Sequence, residues 1–203
     1  MRTITALFDS YDHAASAVRS LRDAGISSAD ISIVANNAGG DIQSADDMDA
    51  EQGAAAGAGV GAVAGGGAGL LAGLGTIALP GIGPVIAGGW LLATAIGALA
   101  GAALGGAAGG LLGALANAGV PEGEAHVYAE GLRRGGTLVS VRAEESRADS
   151  VGAILGNASG VDLDRRRADY LAEGWRGFDE DAPAYSQEQI RDYRTSYGMI
   201  PPV

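Results

Sequence analysis

Residues 52–121 contain no charged side chain, and this run constrains the fold more than any other feature of the sequence. It consists mainly of Gly, Ala, Leu, Val and Ile, and Trp90 is its only aromatic residue. Glycine recurs at every fourth position in two series, which a Pro-Gly break at residues 79–84 separates. The phased glycines are Gly53, Gly57, Gly61, Gly65, Gly69 and Gly73, followed by Gly97, Gly101, Gly105, Gly109 and Gly113.

This spacing predicts two helices, because positions i and i+4 lie on one face of an α-helix. Each glycine in a helix interior costs about 1 kcal/mol relative to alanine, so close helix packing must offset a total of roughly 10 kcal/mol. We therefore predict a glycine-zipper α-helical hairpin with helices at residues 53–78 and 85–118. At 1.5 Å per residue, each helix is long enough to cross the ~30 Å hydrocarbon core of a bilayer.

Two alternatives to a membrane-spanning hairpin remain. A flexible Gly/Ala linker is disfavoured, because such linkers lack the bulky Leu and Ile residues found here. A hairpin buried inside a soluble oligomer also fits, since Gly and Ala contribute little to membrane insertion. Acidic residues flank both ends of the run, and the nearest following arginines are Arg133 and Arg134, so no positive-inside bias marks a topology.

Composition narrows the possible partners and chemistry. The formal net charge is −11, which argues against nucleic acid as a partner because binding to it depends on phosphate neutralisation. The absence of cysteine excludes disulfides and thiolate ligands. The first residues lack the apolar core of a signal peptide, so we expect the bacterial cytoplasmic side, with inner-membrane association or a soluble cytoplasmic form as the two options.

The polar parts on either side of the run predict an α+β fold. Strands are expected at residues 3–8, 31–35, 137–142 and 161–164, with helices between the first two and the last two. This order is a split β-α-β, ferredoxin-like domain with four antiparallel strands and helices on one face. The predicted organisation is a discontinuous domain (1–36 and 121–166), an acidic loop (37–52), the inserted hairpin (53–120) and an aromatic tail (167–203).

The tail is too polar to form a core of its own. Ser186 and Gln189 have the spacing of a capping box and predict a short helix from residue 187. Its aromatic residues are expected to pack either on their own domain or on a neighbouring subunit, where Trp and Tyr are good anchors. The candidate subunit contacts are Trp175, Phe178, Tyr185, Tyr193 and Tyr197.

No catalytic, cofactor or metal site rises above chance in the sequence. The histidines His13 and His126 both lie near predicted helix starts, where a surface or packing role is expected. The acidic loop lacks the spacing of a calcium loop, and no Gly-Lys-Ser/Thr sequence indicates a P-loop. Arg133 and Arg134 before Gly135-Gly136 are best explained as a solvated helix end rather than an anion site.

Four segments together resemble the bacterial general stress proteins of the heat-induced, YflT-like kind. They are residues 8–15 (FDSYDHAA), 21–25 (LRDAG), 30–34 (DISIV) and 128–141 (YAEGLRRGGTLVSV). The resemblance covers residues 3–35 and 121–164. It implies a stress-related, non-enzymatic protein without catalytic residues, and similar proteins carry a glycine-rich apolar segment between two α/β halves.

The leading hypothesis is a membrane-linked stress protein that self-associates through its phased glycines, so that its partners are itself and a lipid bilayer. The alternative is a soluble homo-oligomeric assembly, a ring or hollow particle, with the hairpins buried inside. A small-ligand-binding ferredoxin-like domain is a third possibility.

Overall fold

The computed structural model describes residues 1–40, 42, 75–94 and 110–196. Residues 90–94 are helical, and single 3₁₀ turns lie at Ser28–Asp30 and Glu145–Arg147. The strands are β1 (Arg2–Phe8), β2 (Ile31–Asn36), β3 (Gly75–Leu79), β4 (Gly83–Gly88) and β5 (Thr137–Ala143). The helices are α1 (Tyr11–Asp23), α2 (Gly110–Asn117), α3 (Glu122–Arg133), α4 (Ala148–Asn157), α5 (Leu163–Ala172) and α6 (Gln187–Ser196).

The strands form one five-stranded sheet in the order β1-β5-β2-β4-β3. Every neighbouring pair is antiparallel. Since β5 is antiparallel to both β1 and β2, those two strands run in the same direction with β5 between them. Helix α1 connects them, and the first β-α-β unit is therefore split by a strand from the second half of the chain.

Helices cover both faces of this sheet, which explains why β2 is buried along its whole length. On one face Leu7 and Leu138 pack with residues of α2 and α3. On the other face their neighbours Phe8 and Val139 pack with residues of α1 and α4. Successive strand residues point to opposite faces, so each strand contributes to two cores.

The α+β class is confirmed, whereas the ferredoxin-like arrangement is not. Helices lie on both faces rather than one, and the strand predicted at residues 161–164 does not form. Val161 donates one backbone hydrogen bond to Leu7, and Asp162 then caps α5 by accepting from the Arg165 amide at 3.0 Å. Asp competes well for such local caps, which here end the extended conformation after a single residue.

The middle of the uncharged run also differs from the prediction. Residues 75–79 and 83–88 form a β-hairpin, so the predicted helices at 53–78 and 85–118 are wrong over these residues. The Pro-Gly break is real, but it joins two strands, with Gly81 at φ +69° in the turn. β-Branched residues such as Ile77 and Val85 favour strands, and no phased glycine lies between Gly73 and Gly97.

Helix does form at two other places in the predicted hairpin. Residues 90–94 and α2 are helical, and Gly113 lies buried in α2. The remaining phased glycines, Gly53 to Gly73 and Gly97 to Gly109, lie outside the described residues.

Local signals predict several helix ends correctly. Ser10 caps α1 by accepting from the His13 amide, and Gly25 follows the helix with φ +79°. Ser186 and Gln189 form the expected reciprocal capping box at the start of α6, with contacts of 2.9 and 3.2 Å.

Glycine at position 131 is required for the close packing of α3 on β1. A Cβ atom there would lie 2.4 Å from Cδ2 of the buried Leu7. We expect Gly131→Ala to destabilise the fold by about 1–2 kcal/mol, because overpacking exceeds the gain of about 1 kcal/mol in helix propensity. Urea unfolding followed by circular dichroism measures this difference.

Gly152→Ala is the matched control, since Gly152 is an exposed residue of α4 and a Cβ added there would meet nothing within 4 Å. It should stabilise the protein by up to about 1 kcal/mol. Equal effects of the two substitutions would show that α3 does not pack on β1 as described.

Candidate functional site

The carboxyl ends of β1 and β2 meet the start of β5 at one edge of the sheet. Asp9 follows β1, Asn36 ends β2, and Gly135 and Gly136 precede β5. The Asn36 side chain donates to the Leu132 carbonyl at 3.0 Å, which ties the end of β2 to the end of α3. The loops at this edge carry polar and charged side chains such as Asp9, Asn36 and Arg134, so this edge is the candidate site.

Arg134 lies buried at this edge, immediately after α3, with 7% of its surface exposed. Its Nε donates to Oε1 of Glu130 at 2.7 Å, and its Nη1 donates to Glu173. The guanidinium stacks over the rings of Tyr170 and Tyr193, with 4.2 and 5.1 Å from Cζ to the ring centroids. One arginine thus joins α3 to α5, to α6 and to the residue after α5.

Arg166 on α5 makes a second ion pair beside the first. It donates from both terminal nitrogens to the two carboxylate oxygens of Asp9, each at 2.8 Å. Its Nη1 also lies 3.3 Å from the hydroxyl of Tyr193. We call these seven residues the Arg134 cluster: Asp9, Glu130, Arg134, Arg166, Tyr170, Glu173 and Tyr193.

Each arginine of the Arg134 cluster is paired with at least one carboxylate. Burial by itself lowers the pKa of Arg134, but hydrogen bonds to Glu173 and Glu130 raise that pKa overall. Arg166 behaves in the same way: burial lowers its pKa, but the hydrogen bonds to Asp9 together with the charges of Asp9, Tyr193 and Tyr170 raise that pKa overall. Glu130 is 1% exposed, and its second oxygen lies 3.6 Å from Nη1 of Arg133. Both arginines therefore stay charged and paired.

The rest of the tail continues from the cluster across the same edge. Arg133 stacks on Tyr185 at 4.7 Å and donates to the Pro183 carbonyl at 3.0 Å. Arg194 on α6 donates to the Gly135 carbonyl at 2.7 Å. These contacts place the chain's own tail over the edge where a ligand would bind.

Phe178 anchors the middle of the tail. Phe178 is 6% exposed and belongs to the α3-side core, the apolar cluster on the sheet face that α2 and α3 cover. Its amide donates to Nδ1 of His126 at 3.0 Å. It also packs on the β3–β4 turn, where a Cβ on Gly81 would meet its ring at 3.0 Å. The tail therefore contacts both the sheet and the hairpin that lies within the uncharged run.

Four of the five predicted aromatic contacts can be located. Phe178 is buried, and Trp175, Tyr185 and Tyr193 are half-buried, all against their own domain. Tyr197 lies outside the described residues. Whether any of them also meets a neighbouring subunit stays a prediction.

Sequence reasoning misses the Arg134 cluster. It predicts Arg134 at a solvated helix end, whereas the side chain is buried. The spacing of Glu130 and Arg134, four residues apart, is the one local signal of their ion pair. No sequence signal indicates the ion pair between Arg166 and Asp9, which are 157 residues apart.

Neither metal ligation nor membrane crossing is indicated by the residues that can be described. Among residues 1–40, 42, 75–94 and 110–196, no three His, Asp or Glu side chains are grouped to hold a metal ion. In the same ranges, every helix is too short or too polar to cross a bilayer.

Comparison with known proteins bears on the first half of the chain. Residues 3–78 match the family model described as the heat induced stress protein YflT domain. The match covers β1, α1, β2 and most of β3, and it ends before α3 and β5. Neither a curated protein nor a solved structure matches the chain.

Removing Arg134 should be costly, because it leaves the buried charge of Glu130 without its main partner. We expect Arg134→Met to destabilise the protein by about 3–5 kcal/mol in chemical unfolding. Arg2→Met is the matched control, since Arg2 pairs with Glu145 at 3.6 Å and both side chains are largely exposed. Its cost should stay under about 1 kcal/mol. Equal costs would contradict the buried pairing.

Two buried tyrosines predict instability at alkaline pH. Burial raises the pKa of Tyr170 and of Tyr128 above the ordinary value of 10.0, with further increases from Tyr193 and Glu124 respectively. The folded state therefore holds protons that the unfolded state releases above pH 10.0. Stability should fall by up to about 1.4 kcal/mol per pH unit and per tyrosine above that pH.

Unfolding in urea at pH 9 to 11.5, followed by circular dichroism, measures this slope. Tyr170→Phe and Tyr128→Phe should each reduce it, because neither variant has the hydroxyl proton to lose. An unchanged slope in both variants would contradict the assignment.

Proposed function

We propose that this chain is a non-enzymatic, stress-related protein that self-associates through its phased glycines. The YflT match supports the stress-related role. The β3–β4 hairpin carries the self-association proposal, because it fixes the middle of the uncharged run within the sheet. Gly75 at the start of β3 pairs with Ala87 near the end of β4. The chain therefore enters β3 and leaves β4 at the same end of this hairpin.

Such a placement suits two segments that pack on each other or on the same segments of another copy. If both series are helical, their eleven glycines cost roughly 10 kcal/mol relative to alanine. Close backbone approach between helices offsets this cost through dispersion and Cα–H···O contacts. Gly113 supports close helix packing at the phased glycines, since it lies buried in α2. Leu111 and Leu115 of the same helix pack into the α3-side core.

The non-enzymatic assignment is supported by the Arg134 cluster. The strand ends that would form a ligand site are covered by the chain's own tail through ion pairs and stacking. Arg134 and Arg166 are both paired with carboxylates, so neither is positioned as a free anion receptor.

The parts of the uncharged run on either side of the β3–β4 hairpin are also proposed to link the protein to the cytoplasmic face of the bacterial inner membrane.

One observation favours the alternative, a soluble homo-oligomer in which these parts of the run are buried between copies. The turn at Pro80 and Gly81 packs on Phe178 and on the backbone of the tail, with 2.7 Å from a Cβ on Gly81 to the Asp179 carbonyl oxygen. A hairpin that crosses a membrane with its turn there would have to break these contacts.

Substitution of the glycine face tests self-association. We expect Gly101→Leu combined with Gly105→Leu to abolish assembly through the glycine face and so lower the mass, because the leucines fill the groove along which a neighbouring backbone approaches. Analytical ultracentrifugation, without detergent and with detergent, measures the mass. The matched control is Gly152→Leu, which adds the same side chain at an exposed helix position of the domain.

The control should retain the assembly mass of the unsubstituted protein. An unchanged mass in the double variant would remove the glycine face as the contact surface. Release of the unsubstituted protein from membranes only by detergent would support the bilayer link, whereas a uniform detergent-free particle would contradict it.

A further inference from the structure

The outer edge of β1 is an open strand edge. β1 is the first strand of the sheet, and no strand in the described part of the chain pairs with its outer side. It is seven residues long, contains no proline and pairs with β5 in continuous register from Arg2 opposite Ala143 to Phe8 opposite Thr137. Prolines and bulges are two of the devices that protect an edge, and β1 has neither; contacts from Val161 and Tyr128 cover only its Leu7 and Thr5 carbonyls.

Two contacts show which backbone groups face outward. The Val161 amide donates to the Leu7 carbonyl at 2.8 Å, and the Tyr128 hydroxyl donates to the Thr5 carbonyl at 2.8 Å. Neither donor belongs to β5, and outward groups alternate along an antiparallel strand. The N–H and C=O of Thr3 and the N–H of Thr5 therefore also point away from β5.

A groove of about 570 Å³ runs beside this part of the edge. Residues 1–5 form one wall. The other wall is the connection before α3, with Glu124 and Tyr128 of that helix, and Glu145 also lines the groove. Tyr128 of this wall satisfies the Thr5 carbonyl, whereas no hydrogen bond within the described residues reaches the outward N–H and C=O of Thr3.

We propose that β1 of a second copy of this chain occupies the groove, antiparallel to the first and related by a two-fold axis near Ile4. This pairing places Thr3 of one copy opposite Thr5 of the other. Each of these two pairs exchanges backbone hydrogen bonds, for which the Thr5 carbonyl uses its second lone pair because the first accepts from the Tyr128 hydroxyl. The set is complementary to itself because both copies offer the same donors and acceptors.

The side chains fit this register. Ile4 lies opposite Ile4 on the α1 and α4 face, where it is only half-buried in one copy. Threonine lies opposite threonine on the α3 face, and Arg2 lies opposite Ala6, so no like charges face each other. β-Branched pairs of this kind stabilise neighbouring strands. The result is one sheet that continues through both copies.

This interface is separate from the glycine series and does not depend on it. A chain with both contacts would have two independent association surfaces, one in the domain and one in the uncharged run. Loss of one should leave the other intact.

Because the chain contains no cysteine, a single introduced cysteine reports on the two-fold axis. Opposed residues in a non-hydrogen-bonded antiparallel pair have Cα atoms about 4.5 Å apart, within the range of about 4.4–6.8 Å for a disulfide. We expect Ile4→Cys in the full chain to form a disulfide-linked dimer under mild oxidation. Gly152→Cys, on the exposed surface of α4, gives the background from random collision.

Thr3→Pro tests the backbone pairing itself. The Thr3 N–H points outward, so proline there removes no β1–β5 hydrogen bond and is compatible with an edge strand. We expect the disulfide dimer to be lost in Thr3→Pro combined with Ile4→Cys, and retained in Thr3→Ala combined with Ile4→Cys. Circular dichroism verifies that each variant is folded.

The experiment is repeated with Gly101→Leu and Gly105→Leu present, where the disulfide dimer should persist at twice the chain mass of 20.0 kDa. Cross-linking of Ile4→Cys no greater than that of Gly152→Cys would overturn the proposal. Cross-linking that survives Thr3→Pro in a folded protein would overturn it as well.

Discussion

The buried guanidinium of Arg134 is the interaction on which the arrangement of the second half of the chain depends. It neutralises Glu130 within α3 and reaches Glu173 after α5, and it stacks on rings from α5 and α6. Buried charges are tolerated only when they are paired and hydrogen-bonded. Arg134 and Glu130 therefore require the tail to close over them, and this requirement fixes the position of residues that have little apolar surface of their own.

The tail's packing has a consequence for the uncharged run. Phe178 joins the tail to the core beneath α3 and to the turn between β3 and β4. That hairpin lies within the uncharged run, so the run is attached to the domain at its middle. The domain and the run are thus built as one unit, and the two glycine series flank a fixed hairpin.

Short-range sequence patterns predict the strands and helix starts that short-range interactions determine. Alternation of apolar residues indicates β1, β2 and β5, and the capping box of Ser186 and Gln189 forms as expected. The β3–β4 hairpin is missed because the predicted helices continue past the phased glycines, beyond Gly73 and before Gly97, into β-branched residues that favour strands. The strand expected at 161–164 is absent because a cap at Asp162 competes with it after one residue.

The Arg134 cluster is beyond sequence reasoning for a different reason. Its ion pair with Glu130 has helical spacing, but Glu173 and Tyr193 are 39 and 59 residues further along the chain from Arg134. No periodicity connects residues at such separations. Only the folded topology brings them together, and a run of two arginines before two glycines has the pattern of an ordinary exposed helix end.

Amide hydrogen exchange in the Arg134→Met variant tests most directly whether this arginine holds the tail on its own domain. The amides of α6 should lose protection selectively, while those of β2 and β5 stay protected, and the loss should not depend on protein concentration. Unchanged protection in α6, or a loss shared equally with the central strands, would contradict the account.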